Sequence, residues 1–225
     1  RVSGSDRVTS GETERLQRLG LAFSSPHSAE VVSDVDVVVY SSAIKPDNVA
    51  LVAAERVGIP RFRRAECLAA ILHTRKGVVV SGTHGKTTTS AMCAHVLKKS
   101  GSAVSHYVGA EIPVLGANAH WDDESDYLVA EGDESDGSLA LYRPSHAIVL
   151  NIEEEHLDFY NSLEEIVEVF RTFVSQTSEK VIYCAENAAA RELCQGRDGA
   201  LSYGWDDADF TASDVIEGRG VNINA

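Results

Sequence analysis

The segment Ser81-Gly-Thr-His-Gly-Lys-Thr-Thr-Thr89 constrains this chain more than any other. It follows a short apolar run, Val78-Val79-Val80, and opens a stretch from Lys86 to Lys99 that reads as a helix. A phosphate-binding loop needs glycines so that backbone N–H groups can approach the phosphate oxygens. It also needs a helix N-terminus for the dipole, a lysine for the β/γ charge and a hydroxyl for magnesium. Gly82, Gly85, Lys86 and Thr87 supply these at the right end of the right elements. The full eight-residue pattern is not met, because Val80 stands where its first glycine belongs. A glycine-rich strand–helix turn with a chance lysine is the bland alternative.

Composition bounds what surrounds that loop. The 225 residues allow one or two domains, and 44% hydrophobic against 24% charged residues can bury a core. The net charge of −14 argues against a nucleic-acid or anionic-membrane surface. It leaves room for a small anion held by local amides and one lysine. No apolar run approaches the roughly 20 residues of a membrane span. Cys67, Cys93, Cys184 and Cys194 form no C-x-x-C pair, which suggests reduced thiols in a cytoplasmic protein rather than zinc or disulfides.

The order of elements alternates. Gly11 to Leu19 predicts a helix, Asp36 to Tyr40 a strand, and Asp47 to Val57 a helix ended by Gly58 and Pro60. After the loop, Tyr127–Ala130, Ala147–Leu150 and Val181–Cys184 predict strands, which favours a parallel sheet. The Lys86–Lys99 helix carries Ala91, Met92, Val96 and Leu97 as its apolar residues, with Gly101 as a C-terminal stop. Ser162-Leu-Glu-Glu165 predicts a capping box, and Leu163, Ile166, Val167, Phe170 and Val174 a core-facing stripe. Some 75 residues precede the loop unit, thin for an independent core, so the pattern predicts an incomplete first domain over 1–75. The second domain is expected over 76–225 and incomplete at its far end, where Ala225 closes no element.

Two polar segments sit just beyond buried strands. Glu131-Gly-Asp-Glu-Ser-Asp136 puts Glu131 at a strand's carboxyl end, where open α/β sheets bind ligands and a carboxylate can hold a metal. Asp133 and Asp136 are weaker candidates, and the spacing fails a calcium loop. Asn151-Ile-Glu-Glu-Glu-His156-Leu-Asp158 delivers His156 from the next strand end. An imidazole is an unusual ligand for magnesium and leaves manganese open.

Together these segments resemble the Mur ligases, ATP-dependent amide-forming enzymes of bacterial wall synthesis. Ser3-Gly-Ser-Asp6, Ser41-Ser-Ala-Ile44, Ile59-Pro60 and Arg64-Ala-Glu66 extend the resemblance into the first unit, so that it runs from about Val2 to Phe210. It departs with Gly132 where alanine is usual and Leu150 where threonine commonly stands. The resemblance implies a truncated Rossmann-like UDP-sugar domain followed by a P-loop central domain with a mostly parallel α/β sheet. It lacks the family's third domain, so ligation by this chain alone is not expected.

The resemblance implies the first amide-forming step, with UDP-N-acetylmuramic acid, L-alanine and ATP as substrates and an acyl phosphate between them. It implies Mg²⁺, with Mn²⁺ as an option, held by Thr87, Glu131 and His156. Gly82, Thr83, His84, Gly85, Lys86, Thr87 and Thr88 would wrap the phosphates, and Asn151 would position nucleotide or metal water. Asp6, Ser41, Ser42 and His84 would contact the UDP-sugar, and Lys86, Glu131 and His156 would serve catalysis. No lysine lies between Lys99 and Lys180, so the carbamylated lysine typical of later family members has no counterpart. A monomer or homodimer is expected. The competing expectations are a ligase that recycles murein tripeptide, a nucleotide switch, and a non-catalytic UDP-sugar or nucleotide binder.

Overall fold

The computed structural model describes residues 1–212 and 223–224. The expectation about the far end of the second domain at Ala225 lies outside the described residues. Two compact units emerge, Arg1–Leu68 and Ala69–Ala225.

The first unit contains β1 (Ser3–Ser5), α1 (Gly11–Arg18), β2 (Ala22–Ser24), β3 (Val38–Tyr40), α2 (Val49–Arg56) and β4 (Arg61–Arg63). β1 pairs with β2 and β3 with β4, both in parallel. These are two separate two-stranded ladders. Ser10 caps α1 by accepting from the Thr13 amide while Thr13 Oγ1 accepts from the Ser10 amide. Val32, Ala50 and Ala54 form a small core, in keeping with the few residues available to it.

Helix α3 (Arg64–Leu72) leads to the second unit's strands and helices: β5 (Lys76–Ser81), α4 (Lys86–Lys99), β6 (Val104–Tyr107), β7 (Ala119–His120) and β8 (Tyr127–Glu131). Beyond them come β9 (His146–Val149), α5 (Leu163–Ser175), β10 (Lys180–Cys184), α6 (Ala188–Cys194), β11 (Ala200–Gly204), β12 (Phe210–Ala212) and β13 (Ile223–Asn224). Among the described residues the sheet runs β13-β12-β11-β10-β9-β5-β8-β6-β7. Only its outermost pairs, β6–β7 and β12–β13, are antiparallel. β5 lies between β8 and β9, so three loops leave neighbouring strand ends on one edge.

The central strands are short and apolar because both faces are covered. One face packs Val78, Val104 and Val129 against Ala91 and Ala94 of α4. Small residues on that helix let it lie close to the sheet. Of the apolar residues on this helix, Met92 and Val96 are 61% and 63% exposed. The buried positions 90, 91 and 94 fix the inward face, which leaves 92 and 96 outside it.

On α5, Ile166, Phe170, Phe173 and Val174 are buried, and each such side chain contributes roughly 1.5–3 kcal/mol. The capping box expected at Ser162 does not form, since the Ser162 side chain makes no cap bond to the helix amides. The Glu165 carboxylate reaches one residue further back, accepting from the Asn161 amide at 2.9 Å and from its side chain at 3.1 Å. The cysteines are free thiols, with Cys194 buried and the other three half-buried.

Candidate functional site

The glycine-rich loop leaves β5 at Ser81 and enters α4 at Lys86. Gly85 is the N-cap with φ +84°, a conformation that glycine adopts without strain, and no side chain caps the helix amides. Those amides therefore remain available to an anion. Gly82 has φ +144°, and a Cβ there would stand 2.9 Å from Leu150 Cβ and 3.1 Å from the Asn151 nitrogen. The loop is therefore pressed against the chain leaving β9.

Asn151 accepts from the His84 amide at 2.7 Å and donates to the His84 carbonyl at 3.2 Å. Its own carbonyl accepts from the Thr83 amide at 3.1 Å. The buried Thr83 hydroxyl accepts from the Glu153 amide at 2.9 Å. Thr88 is exposed in the first turn of α4. His84 is exposed, with Glu153 and Glu155 carboxylates 3.7 and 4.0 Å from its ring nitrogens.

Lys86 folds back over the loop. Its Nζ donates to the Gly82 carbonyl at 2.6 Å, the Thr83 carbonyl at 3.2 Å and Glu134 Oε1 at 2.8 Å. Thr87 Oγ1 donates to Glu131 Oε1 at 3.0 Å, and Glu131 Oε2 accepts from the Gly109 amide at 2.7 Å. Glu131 reaches the loop because it ends β8 in register with Val80 of β5.

Thr87 and Glu131 thus meet, and His156 Nε2 lies 3.5 Å from Glu134 Oε1, the oxygen that accepts from Lys86 Nζ. His156 has φ +56°, an uncommon conformation outside glycine. Its carbonyl accepts from the Phe159 and Tyr160 amides, closing a turn over Glu134. Among the described residues no three His, Cys, Asp or Glu side chains gather around one point. A hydroxyl and a carboxylate still suit a hard divalent cation, which commonly takes one or two protein ligands plus phosphate and water.

Asp133 and Asp136, both weaker candidates from the sequence, are spent locally. Asp133 Oδ1 accepts from the Ser135 amide and Asp136 Oδ1 from the Ser138 amide, each closing an Asx turn. The residue that sequence reasoning missed is Glu134. It is 1% exposed, and burial pushes its carboxyl above the ordinary range against the pull of Lys86. The buried Tyr160 hydroxyl donates to the Glu134 carbonyl, and burial raises that phenol to about 12. Asking which carboxylate neutralises the single lysine of the loop would have drawn attention to this cluster.

In the first unit, Asp6 follows β1 and Ser41 and Ser42 follow β3, all at carboxyl ends of parallel strands. Asp6 Oδ1 accepts from the Arg7 amide at 2.6 Å, and Ser41 Oγ accepts from the Ala43 amide at 3.3 Å. No helix among the described residues is long and apolar enough to cross a membrane.

Residues 80–223 match the Mur ligase middle domain, and residues 1–76 match the Mur ligase family, catalytic domain. A UDP-N-acetylmuramate–L-alanine ligase from Pelotomaculum thermopropionicum is 42% identical over 220 residues, 96% of this chain and 48% of that protein. One of the same name from Gloeobacter violaceus is 43% identical over 215 residues, 96% of this chain and 46% of that protein. The crystal structure of UDP-N-acetylmuramate-alanine ligase MurC from Thermotoga maritima superposes with a TM-score of 0.83 at 29% identity. It is covered to 48%, and this chain to 94%. The chain spans about half the length of the relatives it matches. The two domain matches meet across the short gap before β5's end and between them account for nearly every residue, so the chain belongs to the Mur ligase family.

Proposed function

We propose that this chain forms the UDP-sugar-binding and nucleotide-binding portions of a ligase that joins L-alanine to the lactyl carboxylate of UDP-N-acetylmuramic acid, driven by ATP. The convergence of Lys86, Thr87 and Glu131 at one strand–helix corner carries the proposal. The names borne by relatives at about 42% identity supply the substrates. Residues 1–75 would hold the UDP-sugar through Asp6, Ser41 and Ser42. Residues 76–225 would hold the nucleotide. Both are solutes of the cytoplasm, where the protein is placed on this reading.

The lactyl carboxylate and the γ-phosphate are both anionic, so their approach must be neutralised before in-line transfer. The Lys86 ammonium supplies one positive charge at the loop. When bound, Mg²⁺ or Mn²⁺ would supply the rest by drawing charge from the phosphate oxygens. Thr87 Oγ1 and Glu131 Oε1 would hold that ion, giving up their mutual hydrogen bond. His156 would serve a second ion only by leaving Glu134. Transfer forms an acyl phosphate and releases ADP, after which the alanine amine attacks the acyl carbon and phosphate leaves.

Calorimetry of Mg·ATP binding to Lys86→Ala, with circular dichroism to confirm folding, tests the loop. Binding is expected to vanish, and unchanged affinity would remove the assignment. At the relatives' full length, phosphate release should require UDP-N-acetylmuramic acid and L-alanine together. If L-Ala-γ-D-Glu-meso-diaminopimelate outcompetes L-alanine, the activity belongs to peptide recycling instead.

A further inference from the structure

Glu134 is the one carboxylate among the described residues that is fully buried. Its Oε1 lies 2.8 Å from Lys86 Nζ and 3.5 Å from His156 Nε2. Its Oε2 is buried with no hydrogen-bond partner among the described residues. The side chain caps no helix and closes no turn, unlike Asp133 and Asp136 beside it. A buried carboxylate left half-satisfied is costly unless a cation stays against it. The nearby cation is the lysine that the loop presents to phosphate.

We propose that Glu134 is a positioning residue that stands in for the nucleotide's terminal phosphates: it holds the Lys86 ammonium over the loop while the site is empty and yields it when phosphate arrives. The proposal rests on the phosphate-loop reading above. Three features of the geometry support it. The Lys86 ammonium already touches two loop carbonyls, so Glu134 fixes it at the loop rather than drawing it away. The Glu134 backbone is held from behind, because Tyr160 donates to its main-chain carbonyl and the Gly137 amide donates to the same atom at 3.0 Å. His156 Nε2 stays 3.5 Å from Glu134 Oε1, so an imidazole still faces the carboxylate when Lys86 turns to phosphate.

Two anions then compete for one ammonium. Glu134 lowers affinity for nucleotides whose β- and γ-phosphates reach Lys86 and leaves AMP untouched. A residue that only shaped the loop would shift both alike.

Calorimetry with Mg·ATP and with AMP on this chain, comparing wild type, Glu134→Gln, Glu134→Asp and Lys86→Ala, separates the outcomes. Glu134→Gln keeps shape and removes charge, and should tighten Mg·ATP binding roughly tenfold while AMP binding stays within about twofold. Glu134→Asp keeps the charge but withdraws it by one methylene, and should raise the ATP-to-AMP affinity ratio by less. It decides the matter if Glu134→Gln fails to fold. An unchanged or weakened ATP affinity, or equal changes for ATP and AMP, overturns the proposal. Loss of ATP binding in Lys86→Ala with no change in either Glu134 variant overturns the placeholder alone. Undiminished binding in Lys86→Ala overturns the phosphate-loop reading beneath it.

Discussion

Asn151 and His84 hold one another by two hydrogen bonds, amide to Oδ1 at 2.7 Å and Nδ2 to carbonyl at 3.2 Å. The side chain comes from just beyond β9 and the backbone from the middle of the glycine-rich loop, so one strand end sets the shape of another's loop. Ordering a binding loop before its ligand arrives removes part of the entropic cost of binding.

Asn151→Ala deletes both bonds and leaves the His84 amide and carbonyl to water. Stability should fall by about 1–2 kcal/mol, the usual cost of such partly exposed bonds. Mg·ATP affinity should fall roughly tenfold because the loop must now be ordered by the ligand. Asn151→Asp, which keeps the acceptor, should recover part of the loss. Urea melts and calorimetry check both numbers, and an unchanged affinity would mean that the glycines alone shape the loop.

Gly109 tests the two proposed metal ligands, Thr87 and Glu131, without substituting either. A Cβ at that position would stand 2.5 Å from Glu131 Oε2 and 2.9 Å from its Oε1. Gly109→Ala must therefore displace the Glu131 carboxylate from the position in which it accepts from Thr87. The expected result is a Mg²⁺ requirement for ATP binding that rises severalfold in concentration, with ATP affinity in EDTA little changed. Titrating Mg²⁺ at fixed ATP measures it. An unaltered Mg²⁺ midpoint would mean the ion does not depend on Glu131.

Consecutive residues made the glycine-rich loop between β5 and α4 and the neighbouring strand ends legible in the sequence. Val78–Val80 and Tyr127–Ala130 are short apolar runs, and the polar groups follow them directly. Glu134 was not legible, because four carboxylates follow one another within six residues. Which of them turns inward is decided by the Asx turns at Asp133 and Asp136 and by Tyr160, a neighbour 26 residues away. Strand β6 was missed for a similar reason. Ser105 and His106 break its apolar pattern, yet both are buried because Ser125, Asp122 and Ala117 satisfy them from other segments. β4, Arg61-Phe-Arg63, is exposed throughout and carries no burial pattern to read.

Gly132 is where the family resemblance and the local packing part company. Alanine is usual there by resemblance, but here a Cβ would lie 2.7 Å from Leu139 Cδ1 and 2.8 Å from Val79 Cγ1. Both neighbours are fully buried, so neither can swing into solvent. Gly132→Ala should destabilise the chain by about 1–3 kcal/mol through overpacking. Adding Leu139→Val, which shortens one of the two neighbours, should return part of that loss, and denaturation of the single and double variants measures the coupling. Additive losses would show that Leu139 is not the obstacle.

His106 gives the pH dependence its sign. It is 3% exposed in β6, with Nε2 3.0 Å from the Ala117 carbonyl, which places the ring proton on Nε2. Burial holds its pKa below the ordinary 6.5; His120, 5.8 Å away between ring centroids, and Lys98 push the same way, while the bond to Ala117 opposes them. Below 6.5 the unfolded chain takes up a proton that the folded ring resists, so stability is present above that value and declines as pH falls through it. His106→Gln offers an N–H to the Ala117 carbonyl but does not titrate. It should be less stable than the wild type near about pH 8, and the gap should close toward about pH 5 as the wild type loses its advantage. Urea melts of both proteins across that range measure the gap. A gap that stays constant would mean His106 binds its proton alike in the folded and unfolded chain.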